Sequence, residues 1–234
     1  MPEIKYGTTV GSKFNPDGSV RQFPGNTVIC FIDPQSAVYA HCHYIQEQLR
    51  SLLFAHKFAL IPIQSVHFTA IQLLVDQRRE PKWWSSYLPL DATLKEADAF
   101  FIKTFETVPT SDGFDMAFRL LRSGPNSISV GIWPSTEDEL KRLRQYRDAV
   151  AEATGVRLPH HETFPFHITL AYHIIQQAPE EAEQFAALLD RVNDEIRPKF
   201  ANFKTGRPQL AFFDDMFDFV PVEKRHLLKS RQKL

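Results

Sequence analysis

Two triplets in the chain pair an imidazole with a hydroxyl: His67-Phe68-Thr69 and His167-Ile168-Thr169. Each lies in an apolar stretch, Val66-His67-Phe68-Thr69-Ala70-Ile71 and Phe166-His167-Ile168-Thr169-Leu170-Ala171. Successive side chains of a β-strand point to opposite faces. His67 and Thr69 are therefore predicted to share one face, with Val66, Phe68 and Ala70 behind them. His167 and Thr169 share the same relation to Phe166, Ile168 and Leu170. An unperturbed imidazole titrates near 6.5, so it can take up or release a proton around neutral pH. Two of them across one cleft would make a general acid/base pair. A third triplet, His161-Glu162-Thr163, lacks the apolar flanks and is expected in a loop.

The two strands need similar frames, and the sequence supplies them. Thr27 to Ile32 reads as a strand stopped by Asp33-Pro34. Ala37 to His56 contains no Pro or Gly, and Val38, Ile45, Leu49, Leu52 and Leu53 recur at helical spacing. Val66 to Val75 is a buried strand that alternates less cleanly, Asp76 to Pro89 a loop, and Asp91 to Phe105 a helix. The second half runs in the same order. Ser127 to Pro134 is a strand, and a helix with an acidic first turn follows, continuing to Thr154-Gly155. Next come a strand from Phe164 to Tyr172 and a helix from Pro179 to Ile196. Short strands are expected near Leu210–Phe213 and Phe217–Val220.

Shifting the numbering by 100 lays Thr27 on Ser127, Pro34 on Pro134, His67 on His167 and Thr69 on Thr169. Strand–helix–strand twice at one offset predicts an α+β fold of two duplicated lobes around a central cleft. The expected organisation is one bilobal domain over 1–234, with lobes at 27–110 and 111–222. A turn-rich segment, 1–26, precedes them, and a basic, solvated tail, 223–234, follows.

Paired His-x-Thr motifs on apolar strands resemble those of the two-histidine (2H) phosphoesterase superfamily. That group includes bacterial RNA 2′,5′-ligase-like proteins and cyclic nucleotide phosphodiesterases. The resemblance covers roughly Thr27 to Tyr172. The N-terminal Gly11-Ser12-Lys13-Phe14 with Phe23-Pro24-Gly25-Asn26-Thr27 resembles a poorly characterised branch of it. By resemblance, the lobes carry antiparallel sheets, His67 and His167 are the catalytic pair, and Thr69 and Thr169 bind phosphate. It also implies chemistry without a metal or other cofactor, acting on a 2′,3′-cyclic nucleotide or an RNA-derived end. The alternatives are a non-catalytic module that binds a nucleotide or RNA end, and a metal-dependent hydrolase.

Composition narrows the partners. Lys and Arg total 27 against 28 Asp and Glu, a net charge of −1, without the basic excess that long nucleic acid requires. A small phosphorylated substrate needs only a local pocket and is the expected partner. Val28 to Ile32 is far short of a membrane span, so no membrane association is expected. Cys30 and Cys42 are expected to be free thiols, with the cytoplasm as the location.

Other constellations are weaker. His41 and His43 point apart on a helix, and His160-His161 with His167, or Asp214, Asp215 and Asp218, lack a recognisable metal-ligand spacing. Strict alternation puts His173 on the face of His167 but roughly 20 Å along the strand, at the surface. Trp83-Trp84 and Phe212, Phe213, Phe217 and Phe219 are expected to pack structurally. Arg119 and Arg122 would face opposite ways on a strand.

Overall fold

A computed structural model describes residues 4–232. The first half contains β1 (Gly25–Phe31), α1 (Ala37–Arg50), β2 (Phe58–Leu60), β3 (His67–Val75) and α2 (Leu94–Phe105). The second contains β4 (Asp115–Ser123), β5 (Ser127–Pro134), α3 (Glu137–Thr154), β6 (His167–His173) and α4 (Pro179–Ile196). The chain continues through β7 (Phe203–Lys204), β8 (Gln209–Phe213), β9 (Phe219–Pro221) and α5 (Lys229–Gln232). The repeated unit is thus β1–α1–β3 and β5–α3–β6.

The α+β class and the antiparallel pairing are as expected, and the sheets of the two halves are continuous. Strand order is β7-β4-β5-β6-β3-β1-β8-β9, with β2 also on β6. The join is the pair Phe68↔Ile168 between β3 and β6. The halves also exchange strands: β8, from the end of the chain, pairs with β1, and β2, from the first half, pairs with β6. The face opposite the cleft buries Val28, Cys30, Phe68, Val130 and Ile168 beneath the helices, together with Cys42, Leu49 and Leu143. Both cysteines are free, and burial pushes each thiol up to about 12, which leaves them as small apolar packing groups.

Local signals explain most element boundaries. The Thr136 side chain accepts from Glu139 N at the start of α3, and Gly155 ends it in the left-handed region at φ 68°. Thr93 and Glu96 form a capping box, so α2 begins at Leu94 rather than Asp91. α1 stops at Arg50, short of His56, where the Ser51 hydroxyl and amide turn back on Gln48 O and Glu47 O. Leu53, expected on its apolar face, is 96% exposed. β6 begins at His167 rather than Phe164, because Pro165 has no amide to give a ladder. β2 and β7, at three and two residues, are too short for any periodicity to reveal.

The C-terminal segment is docked, contrary to the expected solvated tail. The Arg231 side chain is 4% exposed, and its Nε lies 2.9 Å from Oδ2 of Asp98, a fully buried carboxylate on α2. Arg231 also donates to Gly25 O at 2.9 Å, and Arg225 lies 3.8 Å from Asp98. A carboxylate taken out of water needs counter-charges, and the tail supplies them. Lys233 and Leu234 lie outside the described residues.

Candidate active site

The join between β3 and β6 assembles the four expected residues. Antiparallel strands with Phe68 opposite Ile168 bring His67 beside Thr169 and Thr69 beside His167, one register step to either side. Directly opposed residues point to the same face. The two imidazoles therefore occupy the diagonal of a square of polar side chains, a separation of about 7–8 Å between backbone positions. All four line one cavity of about 420 Å³.

Each imidazole is held by its own backbone. His67 Nδ1 lies 2.7 Å from Ser65 O, and His167 Nδ1 bonds Pro165 O, in each case the carbonyl two residues earlier. A carbonyl only accepts, so each Nδ1 carries the hydrogen and each Nε2 is left for the cleft. The carbonyls are free because Ser65 closes a 3₁₀ turn and Pro165 sits outside the ladder.

A second feature repeats at the same offset. On β3 the register runs Ile29↔Thr69 and then Val28↔Ile71, leaving Ala70 as an extra residue. On β6 it runs Ser129↔Thr169 and then Ile128↔Ala171, leaving Leu170 as the extra residue. These bulges follow each threonine immediately and reverse the alternation beyond it. Gln72 and Tyr172 consequently turn into the cleft, opposite Thr27 and Ser127. The same bulge turns His173 away from the face of His167. His173 is 8% exposed rather than a surface residue, packed against Phe58 and Phe185 with Nε2 2.9 Å from Ser123 Oγ. The irregular alternation from Val66 to Val75 has this cause.

The surroundings of the imidazoles differ. The His67 ring packs against Phe219, with centroids 4.3 Å apart, and its strand partner is Phe31. Burial lowers His67 to about 4; the Ser65 carbonyl opposes this and charge on His167 adds to it. His167 is also lowered, first by burial, with its Pro165 carbonyl opposing and the charges of Arg122 and Lys13 contributing. Its strand partner is Gly131, where a Cβ would lie 3.9 Å from Arg122 Nε. β4 has its own bulge at Arg119, so Arg122 pairs with Ser129 and shares the face of Thr169 instead of opposing Arg119 as simple alternation implies.

Arg147 ties β3 to the loop that precedes β6. It is 3% exposed and donates to Ala70 O, the bulge carbonyl, and to His161 O at 2.6 Å. Its guanidinium lies 5.0 Å from the Phe164 ring centroid and 5.6 Å from that of Phe166, and burial lowers it to about 10.

Comparisons with known proteins bear on this geometry. Residues 13–126 match a family model described as "2H-phosphodiest: Domain of unknown function (DUF1868)". Over that stretch, just under half of its length, the chain is similar to the two-histidine phosphodiesterases. That name denotes phosphodiesterase chemistry. The crystal structure of a conserved protein of unknown function from Agrobacterium tumefaciens str. C58 is similar at TM-score 0.85 and 27% identity, over 93% of this chain and 92% of that one. A Thermus thermophilus protein of known crystal structure is similar at TM-score 0.44 and 15% identity, over 86% of this chain and 99% of that one. No curated protein matches.

The side chains of the other histidines weighed in the sequence as metal ligands lie apart from one another. His160 bonds Gln72 at the cleft wall, while His161 bonds Asp148. Among the described residues, one group has ligand atoms close enough for an ion, Asp148, His161 and Glu162, and Arg157 already bonds both of its carboxylates. His41 stacks on Phe200 and His43 faces Glu47. The tryptophans divide: Trp84 is buried, whereas Trp83 lines the cleft beside His160. Phe219, expected to be a packing residue only, is a cleft wall. Nothing in the spacing of the sequence points to Gln72, Tyr172 or Arg122, since each reaches its face through a bulge.

Proposed function

We propose that the protein is a metal-independent phosphoesterase that opens a cyclic phosphate, a 2′,3′-cyclic nucleotide or an RNA-derived end, with His67 and His167 as the acid/base pair. The observation that carries this reading is the diagonal placement of two imidazoles whose Nδ1 hydrogens are committed to backbone carbonyls, which leaves both Nε2 atoms for the reaction.

His67 is depressed the further by its surroundings, so it is the neutral base, and His167 carries the proton. His67 Nε2 takes a proton from water as the water oxygen bonds phosphorus. The bond from phosphorus to one ribose oxygen breaks, and His167 Nε2 gives that oxygen its proton. The products are a phosphomonoester and a free ribose hydroxyl, and solvent resets the pair. Thr69 and Thr169 donate to the non-bridging oxygens, where charge accumulates, and Arg122 adds a cation on the side of His167. Proton transfer of this kind contributes about 10²–10⁴-fold for each group.

The test is hydrolysis of 2′,3′-cyclic AMP by the purified protein in excess chelator, beside His67→Ala and His167→Ala. Turnover that survives the chelator and falls in both variants supports the reading. Turnover lost to the chelator, or unaffected in either variant, overturns it.

A further inference from the structure

The cleft holds a cation that the reaction described above leaves without a role. Lys13 comes from the segment ahead of β1, outside the duplicated frame, and lines the cavity that contains both histidines. Its ammonium lies 5.2 Å from the centroid of the Phe23 ring and 5.1 Å from that of Tyr172. Among the described residues no carboxylate lies within ion-pair distance of it. A lysine ammonium set over two rings of the cavity wall, whose charge acts with that of Arg122 on His167, remains available to an anion.

The backbone of Lys13 is fixed in place. Its amide donates to Thr9 O at 2.9 Å, and its carbonyl accepts from Arg21 N at 2.8 Å. The next residue, Phe14, is fully buried in a small core with Phe23, Phe213, Met216 and Ile174. This secondary core docks the segment on the sheet and places Lys13, with Phe23, at the cleft. Ordering a charged side chain this way favours binding by removing its entropy cost beforehand.

Its location separates it from the reacting phosphorus. The ring beneath it, Tyr172, opposes Ser127, while Thr169 opposes Ser129, which is two register steps, or roughly 7 Å, further along the sheet. A cavity of about 420 Å³ belongs among sites for whole small molecules, roughly 300–1,000 Å³, and a lone phosphate would fill little of it.

We propose that Lys13 is a specificity residue that binds a second anionic group of the substrate, so that the preferred ligand is a nucleotide carrying a further phosphate in addition to the one at the histidine pair. This rests on the phosphoesterase reading for the reacting phosphate, but its test does not require turnover.

Calorimetric titration compares adenosine 3′,5′-bisphosphate with adenosine 3′-phosphate on the wild type, Lys13→Gln and Lys13→Arg. The bisphosphate is expected to bind the wild type about tenfold more tightly. Lys13→Gln removes that preference and Lys13→Arg keeps most of it. Equal affinities in the wild type, failure of both ligands to bind, or equal weakening of both by Lys13→Gln would each overturn the proposal, the last because Lys13 would then serve the shared phosphate. Hydrolysis of 2′,3′-cyclic AMP, measured in parallel, separates the two ideas. A bisphosphate preference without turnover sinks the phosphoesterase reading and upholds Lys13. Turnover without a preference does the reverse.

Discussion

Phe68 and Ile168 face each other across the join between β3 and β6, and each stands between the histidine and the threonine of its motif. The apolar pair is buried on the helix side, so burial that stabilises the sheet also fixes the spacing of the polar square in front of it. A register slip of one residue would turn one of the two motifs into the core.

His67→Ala and His167→Ala are each expected to lower kcat/KM for a cyclic phosphate by about 10²–10⁴-fold. The double variant should lose little more than the worse single one, because groups acting as a unit are not additive. Thr69→Val and Thr169→Val should each cost about 10²-fold in kcat. A full loss in only one histidine variant would mean that the two do not work as a pair.

The rate should peak on the acid side of neutrality. Productive enzyme has one imidazole neutral and the other protonated, and both titrate below 6.5. A profile of kcat/KM should therefore rise from about 4, where His67 loses its proton, and fall again below 6.5 as His167 loses its own. A plateau extending to pH 8 would contradict the burial of the pair.

The same shift appears in stability. His67 binds its proton less readily when folded than unfolded, so stability is full above 6.5 and declines as pH falls towards about 4. The loss is up to about 3 kcal/mol. Thermal melts of His67→Gln over that range should show a shallower decline than the wild type.

Arg147→Met would leave the Ala70 and His161 carbonyls without their buried donor. The expected cost is on the order of 3 kcal/mol, with kcat lowered as β3 and the loop leading into β6 relax. An unchanged melting temperature with normal kcat would remove Arg147 from the support of the site.

Arg231→Met removes the nearest counter-charge of the buried Asp98 carboxylate and leaves it Arg225 at 3.8 Å and the Asn26 amide at 3.0 Å; the expected loss is about 3 kcal/mol. Asp98→Asn combined with Arg231→Met should cost less than the sum of the single changes, since the unpaired charge is gone. Chemical denaturation of the four proteins measures this coupling directly.

The motif residues, the offset of 100 and the repeated β–α–β unit were legible because hydrophobic periodicity and proline stops are local signals. β5 and α4 begin and end where those signals lie. The bulges at Ala70, Leu170 and Arg119 were not legible. A bulge is decided by pairing with a neighbouring strand, and neither alanine, leucine nor arginine announces one. Every misassigned facing, that of His173 and Arg122 above all, lies beyond one of them. Arg231 reads as tail charge in the sequence because its partner, Asp98, stands 133 positions away, too far for any sequence spacing to connect.

The exchange of strands between the halves bears on how the protein is made. β1 leaves the ribosome early, yet its outer neighbour β8 and the residue that walls His67, Phe219, are synthesised some 180 positions later. Until then β1 presents an unpaired edge, and the pocket around His67 lacks one side. The wall of the His67 pocket is completed only when the last strands close.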